Sequence, residues 1–234
     1  MIIAEQKPLV DVIKMLEGHR HVLVVGCRSC VAVCLAGGEK EAGILAESLR
    51  LHSDLGGKGW DVEDITLERA CEKEWVSKMG GVLEGKDAVV SLACGVGAQV
   101  IHELHPNVFV IPGVNTISMG APEEQGIYLE KCAGCGDCVL HLTGGVCPVA
   151  RCSKSLMNGP CGGSQNGKCE IDPDTPCGWD LIYRSLKEQG RLDLIDTIIP
   201  PKNWRPSRSG GPRKTVRKEA VQTDEEKRIR EAGQ

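Results

Sequence analysis

The sequence predicts an α/β fold in two parts: a small parallel sheet of Rossmann type at residues 1–118, and a loop-rich cysteine domain at 119–179. A helix and a basic tail complete the chain at 180–234. Three observations predict this. Apolar strand runs alternate with helical stretches up to about residue 112. Beyond Ile127 that periodicity vanishes, while eight cysteines crowd in before Trp179. Only four Trp, two Tyr and one Phe serve 234 residues, so part of the chain needs support beyond an apolar core.

Each element follows from its local pattern. His21-Val22-Leu23-Val24-Val25-Gly26 is a short buried-strand run, and the stretch from Glu39 to Leu51 has helical periodicity. Asp61 to Thr66 alternates as a weaker strand. A helix is expected from Glu72 to about Leu83, with Trp75 and Met79 on one face. Asp87 to Ala93 and Val108 to Pro112 read as two further strands, and Gly56-Gly57-Lys58-Gly59 as a connecting loop. Strands separated by helices imply parallel pairing through right-handed crossovers.

From Ile127 to Trp179 the chain has too little apolar surface to fold on packing alone, which points to a domain nucleated by metal. From Asp180 a helix is expected to about Thr197, broken by Gly190. Residues 201–234 carry ten Lys and Arg against five Asp and Glu, and read as a solvated or partly disordered arm that binds a partner. Only Trp204 adds an aromatic ring to that arm, so nucleic-acid binding is not expected.

Thirteen cysteines is an odd number for a disulfide scaffold. Met1 to Pro8 shows neither a charged leader nor an apolar run, and no stretch approaches the ~18 apolar residues of a membrane span. A reducing, cytoplasmic setting is expected, where closely spaced cysteines bind metal.

The cysteines fall into three sets. Cys27, Cys30 and Cys34 have C-x2-C-x3-C spacing where the first strand feeds a helix. On a helical turn these thiols share one face, and a helix N-terminus favours the thiolate. The fourth ligand is Cys71 or Cys94; Cys94 is preferred because it directly ends a strand, where open α/β sheets gather their ligands. The Gly95-Val96-Gly97 that follows lacks the third glycine of a dinucleotide loop.

The second set, Cys132, Cys135, Cys138 and then Cys147-Pro148, has the C-x2-C-x2-C spacing of bacterial ferredoxin loops, with a longer gap before the fourth cysteine. It favours an iron–sulfur cluster over zinc. The third set, Cys152, Cys161, Cys169 and Cys177, lies in glycine-rich loops and suits zinc or a second cubane, with zinc preferred. Three sets of four leave one cysteine over, and roles could be exchanged between Cys147 and Cys152. The six histidines are scattered, and no catalytic constellation or flavin fingerprint occurs. Organic chemistry therefore needs a partner. A zinc-stabilised adaptor that only anchors such a partner is the competing reading.

Two stretches carry a family resemblance: Gly26 to Glu41, and Cys132 through Thr143-Gly144-Gly145-Val146-Cys147-Pro148 and Asn158-Gly159-Pro160-Cys161-Gly162-Gly163 to Glu170. With Arg69-Ala70-Cys71 and Ala93-Cys94-Gly95, they resemble the small iron–sulfur and zinc subunit (MetV type) of the methylenetetrahydrofolate reductases of acetogenic bacteria. The resemblance spans about residues 20 to 200. It implies an electron-transfer subunit with two [4Fe–4S] clusters and one zinc ion, and flavin only in the partner. That partner is a flavin-containing reductase subunit that reduces methylenetetrahydrofolate to methyltetrahydrofolate. The donor implied is ferredoxin or a larger redox complex.

Overall fold

The computed structural model describes residues 1–232. By its internal contacts the chain divides into two units, one of residues 1–133 with 149–155, the other of 134–148 with the chain from Leu156 onward.

The first unit is built on a four-stranded parallel sheet in the order β3-β2-β4-β5, comprising β2 (His21–Cys27), β3 (Asp61–Leu67), β4 (Ala88–Ser91) and β5 (Phe109–Pro112). Strand β2 runs beside β3 from His21↔Asp61 to Cys27↔Leu67, and beside β4 from Val22↔Ala88 to Val25↔Ser91. Its continuous run of apolar residues marks it as central: every residue after His21 is buried, as a strand covered on both faces requires. Strand β3 mixes buried and exposed positions because it lies at the sheet edge.

Helices α1 (Leu9–Met15), α3 (Glu39–Gly56) and α5 (Gly95–Leu104) bury Val12, then Ala42, Ala46 and Leu49, then Ile101, in the same core as Val22 to Val25 and Val89-Val90. Small alanines on α3 bring it close to the sheet. Its start is fixed where the Gly38 N–H donates to the Glu41 carboxylate (2.9 Å), and its end where Gly57 turns left-handed (φ 60°). Between them in sequence, α2 (Cys30–Val33) is a single turn.

The helix expected from Glu72 to Leu83 is split. Helix α4 (Lys73–Ser77) stops, and Gly80 to Leu83 continues as a 3₁₀ turn. The Gly80-Gly81 pair carries the entropic cost that ends an α-helix. Val76, Met79 and Leu83 still face the core.

A second sheet, absent from the sequence reading, joins β1 (Ile2–Gln6), β6 (Val114–Glu124) and β7 (Ile127–Cys132) in the antiparallel order β1-β6-β7. Gly120 and Pro122 obscure β6 as a strand. Gly120 is required by packing: a Cβ there would lie 2.0 Å from the Leu129 carbonyl oxygen. Its neighbour β1 lies more than a hundred residues away, with Ile2 opposite Met119, so no local pattern announces the pair.

The second unit is organised by α7 (Gly178–Glu188), which follows the short helix α6 (Pro148–Arg151). Trp179, Ile182 and Leu186 form its buried face, with Ile199 also buried in this unit. The Trp179 indole N–H donates to the Leu156 carbonyl (2.9 Å), and Gly159 lies so close to the indole that a Cβ would meet it at 2.5 Å. Asn158 exchanges two hydrogen bonds with the backbone of Ile199, at 2.9 and 2.8 Å. The chain leaves α7 through Gly190 (φ 66°) into a 3₁₀ turn at Leu192–Asp196, and α8 (Asp224–Ala232) is the last helix.

Candidate metal centres

At the carboxyl edge of the parallel sheet, three neighbouring strands each deliver a cysteine. Cys27 is the last residue of β2, Cys71 follows β3 by four residues, and Cys94 caps the N-terminus of α5 just beyond β4. The Cys27 N–H donates to Gly37 O (2.8 Å) and the Arg28 N–H to Leu67 O (2.9 Å), which fixes the turn after β2. Gly97 lets the loop before Cys71 settle against α5: a Cβ there would sit 2.7 Å from Ala93 and 3.0 Å from Ala70.

These cysteines are near enough to feel one another. Partial burial, with Cys27 and Cys94 as neighbouring like charges, pushes the Cys71 thiol above its ordinary value. Arg69 is held by Glu72 (2.8 Å) and also lies within electrostatic reach of Cys71 and Cys30. Arg28 bridges Glu39 (3.1 Å) and Glu68 (2.7 Å), tying the turn after β2 to α3 and to the end of β3. The structure therefore gathers Cys27, Cys30, Cys71 and Cys94 around one edge. Cys34 is directed elsewhere: it is buried, and its thiol donates to the Ile2 carbonyl of β1 (3.3 Å). The shared helical face expected for Cys27, Cys30 and Cys34 does not form, because α2 is one turn long and Cys27 belongs to the strand before it.

The ferredoxin-like loop starts at Cys132, the last residue of β7. Beyond it Gly134 and Gly136 adopt positive φ (61° and 79°), the left-handed turns that glycine permits. In the second unit Cys135 is buried and Cys138 exposed, and the Cys135 thiol points to the Asp137 carbonyl at 3.9 Å. Cys147 is half-buried.

Of the third set, Cys169 and Cys177 share a small ribbon. Lys168 bridges to Pro176, the Cys169 N–H donates to Thr175 O (2.9 Å), and the Cys177 N–H to Gly167 O (2.8 Å). Gly163, two residues from exposed Cys161, packs against the Glu170 side chain beside Cys169. Cys152 is grouped with the first unit, in a turn closed by the Ser155 N–H to its carbonyl (2.7 Å).

Among the described residues, no three His, Cys, Asp or Glu side chains converge as a cage for a single ion. In chemistry the donors at the sheet edge fit a polynuclear group, which takes each thiolate on a separate metal ion. Sequence reasoning missed the cations here. Arg69 was hidden in plain view beside Cys71, whereas nothing in the local pattern of the tail marks Lys202 or Arg213, whose side chains reach the cysteine loop. Among the described residues no helix is long and apolar enough to cross a membrane.

Residues 111–205 match the family described as methylene-tetrahydrofolate reductase C terminal. The match takes in the second and third cysteine sets and α7, and leaves the sheet-edge cysteines outside it. Neither a curated protein nor a solved structure matches the chain. Over residues 111–205 the chain is therefore similar to the methylene-tetrahydrofolate reductase C-terminal family.

Proposed function

We propose that the chain is an electron-transfer subunit of a methylenetetrahydrofolate reductase complex, working in the reducing cytoplasm. The observation that carries this reading is the gathering of Cys27, Cys71 and Cys94 at the carboxyl ends of three adjacent parallel strands, in a chain whose residues 111–205 match a reductase family.

Cys27, Cys30, Cys71 and Cys94 would hold one [4Fe–4S] cluster; by their spacing in the sequence, Cys132, Cys135, Cys138 and Cys147 suit a second, and Cys152, Cys161, Cys169 and Cys177 suit zinc. A bound cluster supplies reversible one-electron transfer. The protein's own residues do the rest. Strand ends position the sheet-edge cysteines, and Gly134 and Gly136 supply the left-handed turns that the Cys132–Cys138 loop would use to close on a cluster of its own. Arg69 offsets negative charge at the sheet edge. The partner is a flavin-bearing reductase subunit, and the donor a ferredoxin or a larger redox complex.

The test is anaerobic quantitation of iron, sulfide and zinc in the full chain, followed by donor-driven reduction of methylenetetrahydrofolate with the flavoprotein. Turnover that depends on Cys27 and Cys135 supports electron transfer. A chain carrying zinc alone, which still binds the flavoprotein, makes it an adaptor.

A further inference from the structure

The tail does not simply leave the second unit; part of it closes over the cysteine loop. The Lys202 side chain is 1% exposed, and its ammonium donates to the Asp137 carbonyl and lies 3.4 Å from the Asp137 carboxylate. The Cys135 thiol points to that same carbonyl oxygen. Arg213 donates to Gly134 O (3.0 Å) and to Pro206 O, so a second cation reaches the loop two residues before Gly136. Between these contacts Pro206 packs on Gly136, where a Cβ would meet it at 2.6 Å. Ser207 is buried and donates to Trp204 O (2.5 Å), folding the strap into a turn.

A buried ammonium is costly unless negative charge lies close by. Half-exposed Asp137 supplies some. Thiolates at Cys135 and Cys138, when ligating, supply more.

We infer that residues 202–213 are a redox-tuning strap, in which Lys202, seconded by Arg213, is a positioning residue that raises the reduction potential of the centre held by the Cys135–Cys138 loop. This rests on the iron–sulfur reading above. One electron from a low-potential donor adds one negative charge to a centre that its thiolates already make negative. A fixed cation nearby favours that reduced state. The strap also makes the tail part of the site, so that a partner pulling it away would lower the potential.

The test uses the full chain reconstituted with iron and sulfide under anaerobic conditions. Native protein, Lys202→Met, Lys202→Arg and Arg213→Met are compared for iron content and for midpoint potential by EPR-monitored titration. Lys202→Met is expected to keep its iron and lose about tenfold in the reduction equilibrium, about 59 mV lower for a one-electron couple. Lys202→Arg should stay near native, and Arg213→Met should fall by less. A Lys202→Met potential equal to native overturns the inference. So does iron lost from Lys202→Met and kept by Lys202→Arg, since the ammonium would then be only a structural post.

A native chain that takes up no iron overturns the electron-transfer reading itself. The strap is then judged on the metal-free chain by trypsin cleavage after Arg208 and Arg213. Gly136→Ala pushes a methyl group into Pro206 and should speed those cuts. Equal rates in the two chains mean that the strap does not close, and the inference fails.

Discussion

Cys27 ends β2 and Cys71 follows its parallel neighbour β3, and partial burial together with the Cys27 thiol holds back ionisation of Cys71. Cys94 joins them from the strand on the far side of β2. The sheet order alone brings three residues, scattered over 68 positions of sequence, to one edge. Replacing Cys71 or Cys94 by Ala should therefore each remove about one cluster's iron. Cys34→Ala should leave iron content unchanged and cost about 1 kcal/mol through its lost bond to Ile2 O. Iron analysis of the three variants decides this, and equal iron loss from Cys34→Ala would put Cys34 among the ligands.

Gly37 answers for the geometry of that edge. A Cβ on it would lie 2.0 Å from the Leu92 carbonyl oxygen, a backbone atom that cannot swing aside. Gly37→Ala should destabilise the first unit by about 1–3 kcal/mol, read as a lower midpoint in urea by circular dichroism. An unchanged midpoint would mean that the turn after β2 relaxes freely.

Acid should weaken the other end of the sheet. The Lys86 ammonium, only 6% exposed, pairs with Glu63 (2.8 Å) and Asp61 (3.1 Å). Its hydrogen bond, with help from His21, holds the Asp61 carboxyl below its ordinary value. A carboxyl depressed in the folded state adds stability above the unfolded value, near 3.9, and loses it as pH falls through the folded one. Asp61 is half exposed, so solvent screens the effect and keeps it modest. Lys86→Met should lower the melting temperature at neutral pH, with the gap from native closing below about pH 4. A constant gap from pH 7 to below 3 would exclude this coupling.

In the second unit Trp179 carries more of the packing than any other ring. Trp179→Ala should cost about 3–5 kcal/mol, and Trp179→Phe about 1–2 kcal/mol for the lost bond to Leu156 O. Proteolysis of the metal-free chain measures both. If metal-free Trp179→Ala resists protease as native does, the packing of this ring does not organise the unit.

The parallel sheet was legible because its strands announce themselves locally. Val22 to Val25 is an unbroken apolar run, and only a strand covered on both faces uses one. The edge where cysteines gather followed from strand order, although spacing alone grouped Cys34 with Cys27 and Cys30. It took the real length of α2 to separate them. Strands β1 and β6 stayed hidden because their pairing is remote and because Gly120 and Pro122 break the local pattern. The strap was illegible for a different reason. Lys202 and Arg213 sit in a polar, Pro- and Gly-rich stretch whose order comes from contacts with residues 134–137 and from turns within the stretch itself.

The pairing of Ile2 with Met119 also sets a timetable. The ribosome makes β1 first, but its partner emerges only after the entire parallel sheet, which is complete at Pro112. Domains fold as they are synthesised, from the N-terminus onward. Cys27, Cys71 and Cys94 can therefore meet while β1 still waits unpaired, with the carbonyl that Cys34 will bind not yet seated. The sheet edge that carries these thiols is thus open on the nascent chain until the antiparallel sheet closes beside it.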